Sequence, residues 1–246
     1  LTQPAFVAPS PDARLAQPGE TAADVARRAA QALEALLARE HEQIAALIVE
    51  PLVQCASGMA MHDPLYLAQV RALCDRYQVH FIADEIAVGF GRTGSFFAHE
   101  QAVVDGAPIR PDLLCLSKGI TGGYLPLSVV LASDAIYEAF LDDQLARGFL
   151  HSHSYTGNPL ACRAALAVLD IFASDDVLAA NRAKAEAFSQ MLQPLVAHPR
   201  VRYLRQCGMI WALDVATSDA AFGRRFYREA LARGVLLRPL GHTIYF

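Results

Sequence analysis

The sequence predicts an α/β protein, and two observations lead to this fold class. Short, nearly continuous apolar runs alternate with helical segments as far as His198–Pro199, and the order then changes to strand-strand-helix-strand. Strands without polar alternation are typical of mostly parallel sheets covered on both faces. The 246 residues are 54% hydrophobic, enough for a large core. We therefore predict a larger domain over residues 1–174 and a smaller α+β domain over residues 175–246.

The predicted helices follow from apolar residues at helical spacing. Residues 1–20 are rich in proline and predict no regular element, whereas 21–42 predict a helix with Thr21 as its N-cap. Asp63–Pro64 opens the next helix, which runs to Tyr77. The remaining helices are predicted at 133–141, with Ser133 as cap, 158–173, 176–194 and 219–234.

The predicted strands are the short apolar runs between these helices. In the larger domain they cover 44–50, 79–84, 112–117 and 127–132. In the smaller domain they cover 201–205, 209–215 and 235–239.

Composition excludes several classes of protein. The 21 basic and 25 acidic residues give a net charge of −4 without a basic cluster, which disfavours nucleic acid as a partner. No apolar run approaches the length of a membrane span. The five cysteines are scattered without a C-x-x-C pair, which argues against disulfides and zinc and fits the cytoplasm. Leu1 is not an initiator methionine and the chain stops within an apolar run, so we expect a piece of a longer protein.

Polar side chains follow three of the predicted strands. Glu50 ends the first, Asp84 and Glu85 end the second, and Ser117 and Lys118 end the third. Ligands of open α/β sheets bind beyond the carboxyl ends of the strands. A lysine beside a carboxylate suggests that Lys118 forms an imine and that Asp84 balances a heterocyclic cation. Solvated strand ends remain the open alternative.

The stretch FIADEIAVGFGRTG contains a G-x-G-x-x-G pattern at Gly89, Gly91 and Gly94. A dinucleotide-binding turn needs its first glycine directly after a strand, but this strand ends five residues earlier, at Asp84. The pattern therefore disfavours a nucleotide, and we expect the glycines to serve backbone geometry.

Four segments, in this order, resemble the class III (ω-amino-acid type) aminotransferases, which use pyridoxal 5′-phosphate. They are IVEPLVQ, FIADEIAVGFGRTGSFFAHE, PDLLCLSKGITGGYLPLSVVLA and HSHSYTGNPLACRAALAVLDIF. The resemblance covers nearly the whole chain. It implies the fold type I of pyridoxal-phosphate-dependent transferases, small-molecule substrates and a homodimer with shared active sites.

The resemblance also implies roles for residues at the strand ends. Lys118 matches the family's Schiff-base lysine, and Asp84 matches the residue that pairs with the pyridine nitrogen and keeps it protonated. Ile86 is expected to pack on one face of the cofactor ring. The glycine turn, with Arg92 in it, is expected beside the cofactor. Glu50 either orders the surroundings of Arg92 or Lys118 or is purely structural, and Gln54 and Glu85 are weaker candidates.

Further roles fall on later segments. Ser154 matches the residue that reaches the cofactor phosphate of the neighbouring subunit, and His153 beside it could add its backbone amide. Arg238 in LLRPLG matches the arginine that binds the substrate carboxylate. His151 and His153 lack a third ligand and do not make a metal site.

Within the class, DEIA, LSKGITGGYLPLS and GVLLRPLGHTIYF favour the members that act in biotin biosynthesis. Their typical substrates are S-adenosylmethionine as amino donor, or lysine in some members, and 8-amino-7-oxononanoate as acceptor. Two alternatives stay open: a class III enzyme acting on ω-amino acids, ornithine or 4-aminobutyrate, and a piece without catalysis of its own. The family's Gly-Ser loop for the cofactor phosphate does not precede these segments.

Overall fold

The computed structural model describes residues 5–246, so residues 1–4 of the predicted irregular segment lie outside the described part. The helices are α1 (Ala22–Glu40), α2 (Leu65–Tyr77), α3 (Asp134–Phe140), α4 (Pro159–Ser174), α5 (Val177–Val196) and α6 (Phe222–Ala232). The strands are β1 (Ala46–Val49), β2 (Val53–Gln54), β3 (Ala60–Met61), β4 (His80–Asp84), β5 (Val103–Val104), β6 (Ala107–Pro108), β7 (Leu113–Leu116), β8 (Val129–Ala132), β9 (Val201–Cys207), β10 (Ile210–Val215) and β11 (Thr243–Tyr245).

The main sheet has the strand order β1-β4-β7-β8. Both β1 and β7 run parallel to β4, whereas β8 is antiparallel to β7, so the prediction of a mostly parallel sheet is confirmed. The prediction that these strands are covered on both faces is wrong for the edges. Ile48 of β1 and Val130 and Leu131 of β8 are exposed, because within residues 5–246 nothing packs over these positions.

Helices α1 and α2 and strand β4 build the core beneath the sheet. Leu33 and Leu37 of α1 are buried against Leu67 and Val70 of α2, and Phe81 of β4 is fully buried in the same cluster. This spacing places the apolar face of each helix inward, as the periodicity predicted. No helix among the described residues has both the length and the apolar character that crossing a membrane requires.

The predicted N-caps have different outcomes. Thr21 caps α1 through a capping box: its hydroxyl accepts from the Asp24 N–H at 3.2 Å, and Asp24 Oδ2 accepts from the Thr21 N–H at 2.8 Å. The bonds from Thr21, followed by Arg27, hold the pKa of Asp24 below its usual range. Ser133 is the N-cap residue of α3, as predicted, but its side chain makes no capping hydrogen bond. Pro64 lies one position before the first helical residue of α2.

Strands β9, β10 and β11 form an antiparallel sheet in the order β11-β10-β9. The strand predicted at 235–239 does not form. Strand β10 already pairs with β9 on one side and with β11 on the other, so neither of its edges is open to residues 235–239. Val235 and Leu236 are exposed instead. The prediction therefore placed the third strand several residues too early.

The two faces of strand β10 pack in different hydrophobic clusters. Ile210 and Ala212 belong to the main cluster, whereas Trp211 and Leu213 point to the opposite face and pack in two smaller clusters with α5 and α6. The small sheet thus rests directly on the larger core. The domain boundary between residues 174 and 175 stays a prediction.

Candidate active site

The parallel pairing brings the polar strand ends to one edge of the sheet. Val49 of β1 lies beside Ala83 of β4, and Asp84 lies beside Cys115 of β7. The residues that follow these strands must therefore emerge together. This edge, defined by Glu50, Asp84, Glu85, Ser117 and Lys118, is called the carboxyl edge below.

Lys118 follows β7 in a strained backbone. Its φ of +43° lies in the left-handed region, which costs a residue with a side chain about 1 kcal/mol or more. Ser117 fixes the approach by donating its hydroxyl to the Leu127 carbonyl at 2.7 Å. Gly119 is required by packing, because a Cβ there would lie 2.9 Å from Cβ of Phe90. Neighbouring contacts thus hold the lysine in place at the end of its strand.

The Lys118 side chain is exposed and lines a cavity of about 460 Å³. Arg92 lines the same cavity, so two cations face it. The other lining residues are Cys55, Ala56, Met59, Ala87, Met209, Ile210, Leu240, Tyr245 and Phe246. This cavity is called the lysine cavity below.

Asp84 is half-buried at the end of β4, and its Oδ1 accepts from the Ile86 N–H at 3.1 Å. It lines a second cavity, of about 870 Å³, together with Glu50 and Gln54. Asp84 and Lys118 therefore reach the carboxyl edge from neighbouring strands but open into different cavities of this chain.

Both Asp84 and Lys118 affect the pKa of Glu50. Burial raises its pKa, the hydrogen bond from the Cys55 N–H at 3.0 Å opposes that rise, and the charge of Asp84 raises it further while Lys118 lowers it. The Glu50 side chain therefore caps the turn at Cys55, and its ionisation depends on the charges of both Asp84 and Lys118. This position fits the predicted ordering of the surroundings of Lys118.

Glu85 is a structural carboxylate. It is completely buried, and its oxygens accept from the Ala98 N–H at 2.9 Å, the His99 N–H at 2.8 Å and His99 Nδ1 at 2.9 Å. Gly89 is packed against it, since a Cβ there would lie 3.0 Å from the Glu85 carbonyl oxygen. These three hydrogen bonds all come from residues of the 98–101 turn, and Glu85 does not line the lysine cavity.

The predicted use of the glycines as turn geometry is confirmed for Gly91 and Gly94, whose φ angles are +78° and +105°. Their loop docks on the turn between β9 and β10. The Met209 N–H donates to the Arg92 carbonyl at 2.8 Å, and a Cβ on Gly208 would lie 2.3 Å from the carbonyl carbon of Thr93. This docking leaves the side chain of Arg92 at the lysine cavity.

The structure does not bring His153, Ser154 and Arg238 to Lys118 within one chain. Residues 151–157 are exposed and do not line the lysine cavity, and the His153 N–H donates to Thr156 Oγ1 at 3.0 Å. Arg238 is exposed two residues before Leu240, which does line the cavity.

Cys55 lines the lysine cavity, although its sequence context did not mark it as a site residue. Burial raises the pKa of its thiol to about 11; Glu50 adds to the rise, and Lys118 and Arg92 oppose it. The thiol is therefore protonated at neutral pH. Its only signal in the sequence is its place shortly after the first strand end.

An α/β sheet that presents a lysine and a carboxylate at adjacent strand ends has the groups that a transferase with an amine nucleophile requires. The chain belongs to the aminotransferase class-III family, which it matches over residues 2–246.

Named relatives agree with this assignment. The chain is 46% identical over 220 residues to an adenosylmethionine-8-amino-7-oxononanoate aminotransferase of Helicobacter pylori, an alignment that covers 87% of this chain and 49% of the relative. The solved enzyme of the same name from Methanocaldococcus jannaschii superposes with a TM-score of 0.82 at 32% identity, covering 89% of this chain and 52% of the other. An omega transaminase from Pseudomonas jessenii in complex with PMP gives a TM-score of 0.85 at 30% identity, covering 95% and 52%. The predicted fold type I is confirmed, and the chain spans about half the length of the curated relatives it matches.

The structural role of Glu85 leads to a stability prediction. Glu85→Gln places an NH₂ group against the donors of Ala98 and His99, so the free energy of unfolding should fall by on the order of 2 kcal/mol. Urea denaturation measures this change. The control is Glu138→Gln on α3, an exposed carboxylate without a side-chain hydrogen bond among the described residues. Equal stability of the two variants would show that the buried bonds contribute nothing.

Proposed function

We propose that this chain carries the lysine-bearing part of a pyridoxal-phosphate-dependent aminotransferase. The proposed reaction converts 8-amino-7-oxononanoate to 7,8-diaminononanoate, with S-adenosylmethionine as amino donor, in cytoplasmic biotin biosynthesis. The observation that carries the proposal is Lys118, held in a strained backbone at the carboxyl edge and opening into a cavity with a second cation. The identity of 46% to an enzyme of that name supports the choice of substrates, whereas the fold is shared with omega transaminases.

The residues present fit pyridoxal phosphate. The chain has only two lysines, and Lys184 is exposed on α5, away from the carboxyl edge. Lys118 is therefore the one lysine with a strained backbone at a cavity. Asp84, at the end of the adjacent strand, provides the carboxylate that a pyridinium nitrogen needs as a partner.

Pyridoxal phosphate, when bound, supplies an aldehyde carbon and a ring that accepts electrons. Lys118 Nζ would be the amine that holds that carbon, and as a free amine it would accept the proton from Cα of the amino donor. The Asp84 carboxylate would keep the ring nitrogen protonated by charge and hydrogen bonding. The hydrogen bond from the Ile86 N–H to Asp84 Oδ1 orients the carboxylate, and we assign the Ile86 side chain to one face of the ring.

The lysine cavity suits an acceptor with an aliphatic chain and a carboxylate. Met59, Met209 and Leu240 provide apolar lining for the chain, and Arg92 provides a cation within the cavity. We assign the substrate carboxylate to Arg238, two residues before Leu240, because a guanidinium binds a carboxylate through two parallel hydrogen bonds.

The active protein is proposed to be a homodimer with shared sites. Ser154 and the backbone amide of His153 are assigned to the cofactor phosphate of the partner, because their exposed loop does not line the lysine cavity of its own chain. Large apolar side chains surround this loop and remain exposed, including Phe149, Leu150 and Tyr155. A second subunit would cover them.

The role of Lys118 is tested by comparing the two lysines. Lys118→Ala should abolish transamination in the full-length protein without lowering its melting temperature, because the side chain is exposed and serves the chemistry. Lys184→Ala should retain full activity. After incubation with pyridoxal phosphate and borohydride, peptide masses should show the adduct at Lys118. An active Lys118→Ala variant would refute the assignment.

Shared sites are tested by mixing two inactive variants, Lys118→Ala and Ser154→Asp, whose added charge repels a phosphate. If each loop serves the partner's site, a heterodimer has one site with both lesions and one with neither. Part of the activity should then return, up to about half per heterodimer, because one of its two sites is intact. No recovery, with subunit exchange confirmed by native mass spectrometry, would show that the loop serves its own chain.

A further inference from the structure

One wall of the lysine cavity is held by two arginines from distant parts of the chain. Cys55, Ala56 and Met59 line the cavity, and residues 55–59 are called the 55–59 wall here. The carbonyls of Ser57, Gly58 and Met59 accept hydrogen bonds from Arg14 and Arg205. Arg14 donates to the Ser57 carbonyl at 3.1 Å, and Arg205 donates through Nε to the Met59 carbonyl at 2.9 Å and through Nη2 to the Gly58 carbonyl.

A single carboxylate connects these arginines. Asp214 of β10 accepts from Arg205 Nη2 at 3.2 Å on Oδ1 and from Arg14 Nη1 at 3.1 Å on Oδ2. The Thr243 hydroxyl of β11 adds a bond to Oδ1 at 2.7 Å. Burial would raise the pKa of Asp214, but the hydrogen bond from Thr243, the charge of Arg205 and the hydrogen bonds from Arg14 and Arg205 outweigh it and lower the pKa. The carboxylate is therefore ionised at neutral pH and holds both guanidinium groups.

The wall needs such support because its backbone is strained. Gly58 and Met59 are consecutive residues in the left-handed region, with φ of +72° and +53°. Glycine tolerates this conformation, but methionine does not adopt it freely, and such a residue persists only where its surroundings fix it. Arg205 donates to the carbonyls of both residues, and the Met59 N–H donates to the Cys55 carbonyl at 3.2 Å.

We propose that Arg205, Asp214 and Arg14 form a positioning clamp that sets the shape of the lysine cavity by holding the 55–59 wall. These residues do not line the cavity and so act through the wall. The clamp depends on the proposed function in one respect, its effect on the substrate. A displaced wall should weaken binding of the acceptor's aliphatic chain more than it slows the chemistry at Lys118.

Cys55 gives a readout of the wall that is independent of activity. Its half-buried thiol should react slowly with iodoacetamide in the wild-type protein. In Asp214→Asn, loss of a charged hydrogen bond should loosen the wall and raise that rate about tenfold. Cys162 on α4, also half-buried, serves as the internal reference in the same digest. Peptide mass spectrometry of the full-length protein measures both rates.

Two further variants complete the experiment. Glu229→Gln removes a carboxylate paired with Arg233 on the exposed face of α6 and should leave the Cys55 rate unchanged. Arg205→Lys keeps the charge but loses the planar fork that reaches both carbonyls, so it should raise the rate. This variant decides the question if Asp214→Asn does not fold cooperatively. In the enzyme assay, the KM for the acceptor should rise about tenfold with kcat within about twofold.

The experiments distinguish a wrong clamp proposal from a wrong proposed function. An unchanged Cys55 rate in a cooperatively folded Asp214→Asn or Arg205→Lys variant overturns the clamp, whatever the activity. An equal increase at Cys162 also overturns it, because general loosening would then explain the change. A wild-type protein without transaminase activity rejects the proposed function and leaves the Cys55 rates to decide the clamp alone.

Discussion

The parallel pairing of β1, β4 and β7 is the constraint on which the candidate site depends. Parallel neighbours end at the same edge, so residues far apart in sequence, Glu50, Asp84 and Lys118, emerge together there. A shift of one residue in the register would turn every side chain of a strand to the opposite face. The buried Phe81 of β4 prevents that shift, because the alternative register would expose it.

A second set of contacts couples the small sheet to this edge. The close approach of Gly208 to the loop around Arg92 and the bonds of Arg205 to the 55–59 wall join β9 and β10 to two sides of the lysine cavity. Residues 87 and 90 positions from Lys118, Arg205 and Gly208, therefore contact two sides of the cavity, in addition to the strand that carries the lysine. Stability and cavity shape are linked through the same few contacts.

The sequence predicted the elements whose signals are local. The helix capped by Thr21 and the strand ends at Asp84 and Lys118 follow from periodicity, capping chemistry and polar residues after apolar runs. The strand predicted at 235–239 failed because strand formation depends on a neighbour, and β11 took that place. The position of Cys55 at the cavity could not be predicted either, because the cavity is lined by residues far apart in the sequence, among them Lys118 and Met209.

A crystal structure of the full-length protein with pyridoxal phosphate would show whether the carboxyl edge holds the cofactor. We expect continuous density from Lys118 Nζ to the cofactor and a carboxylate oxygen of Asp84 about 2.7–2.9 Å from the ring nitrogen. Cofactor attached to Lys184, or a ring nitrogen without contact to Asp84, would contradict it.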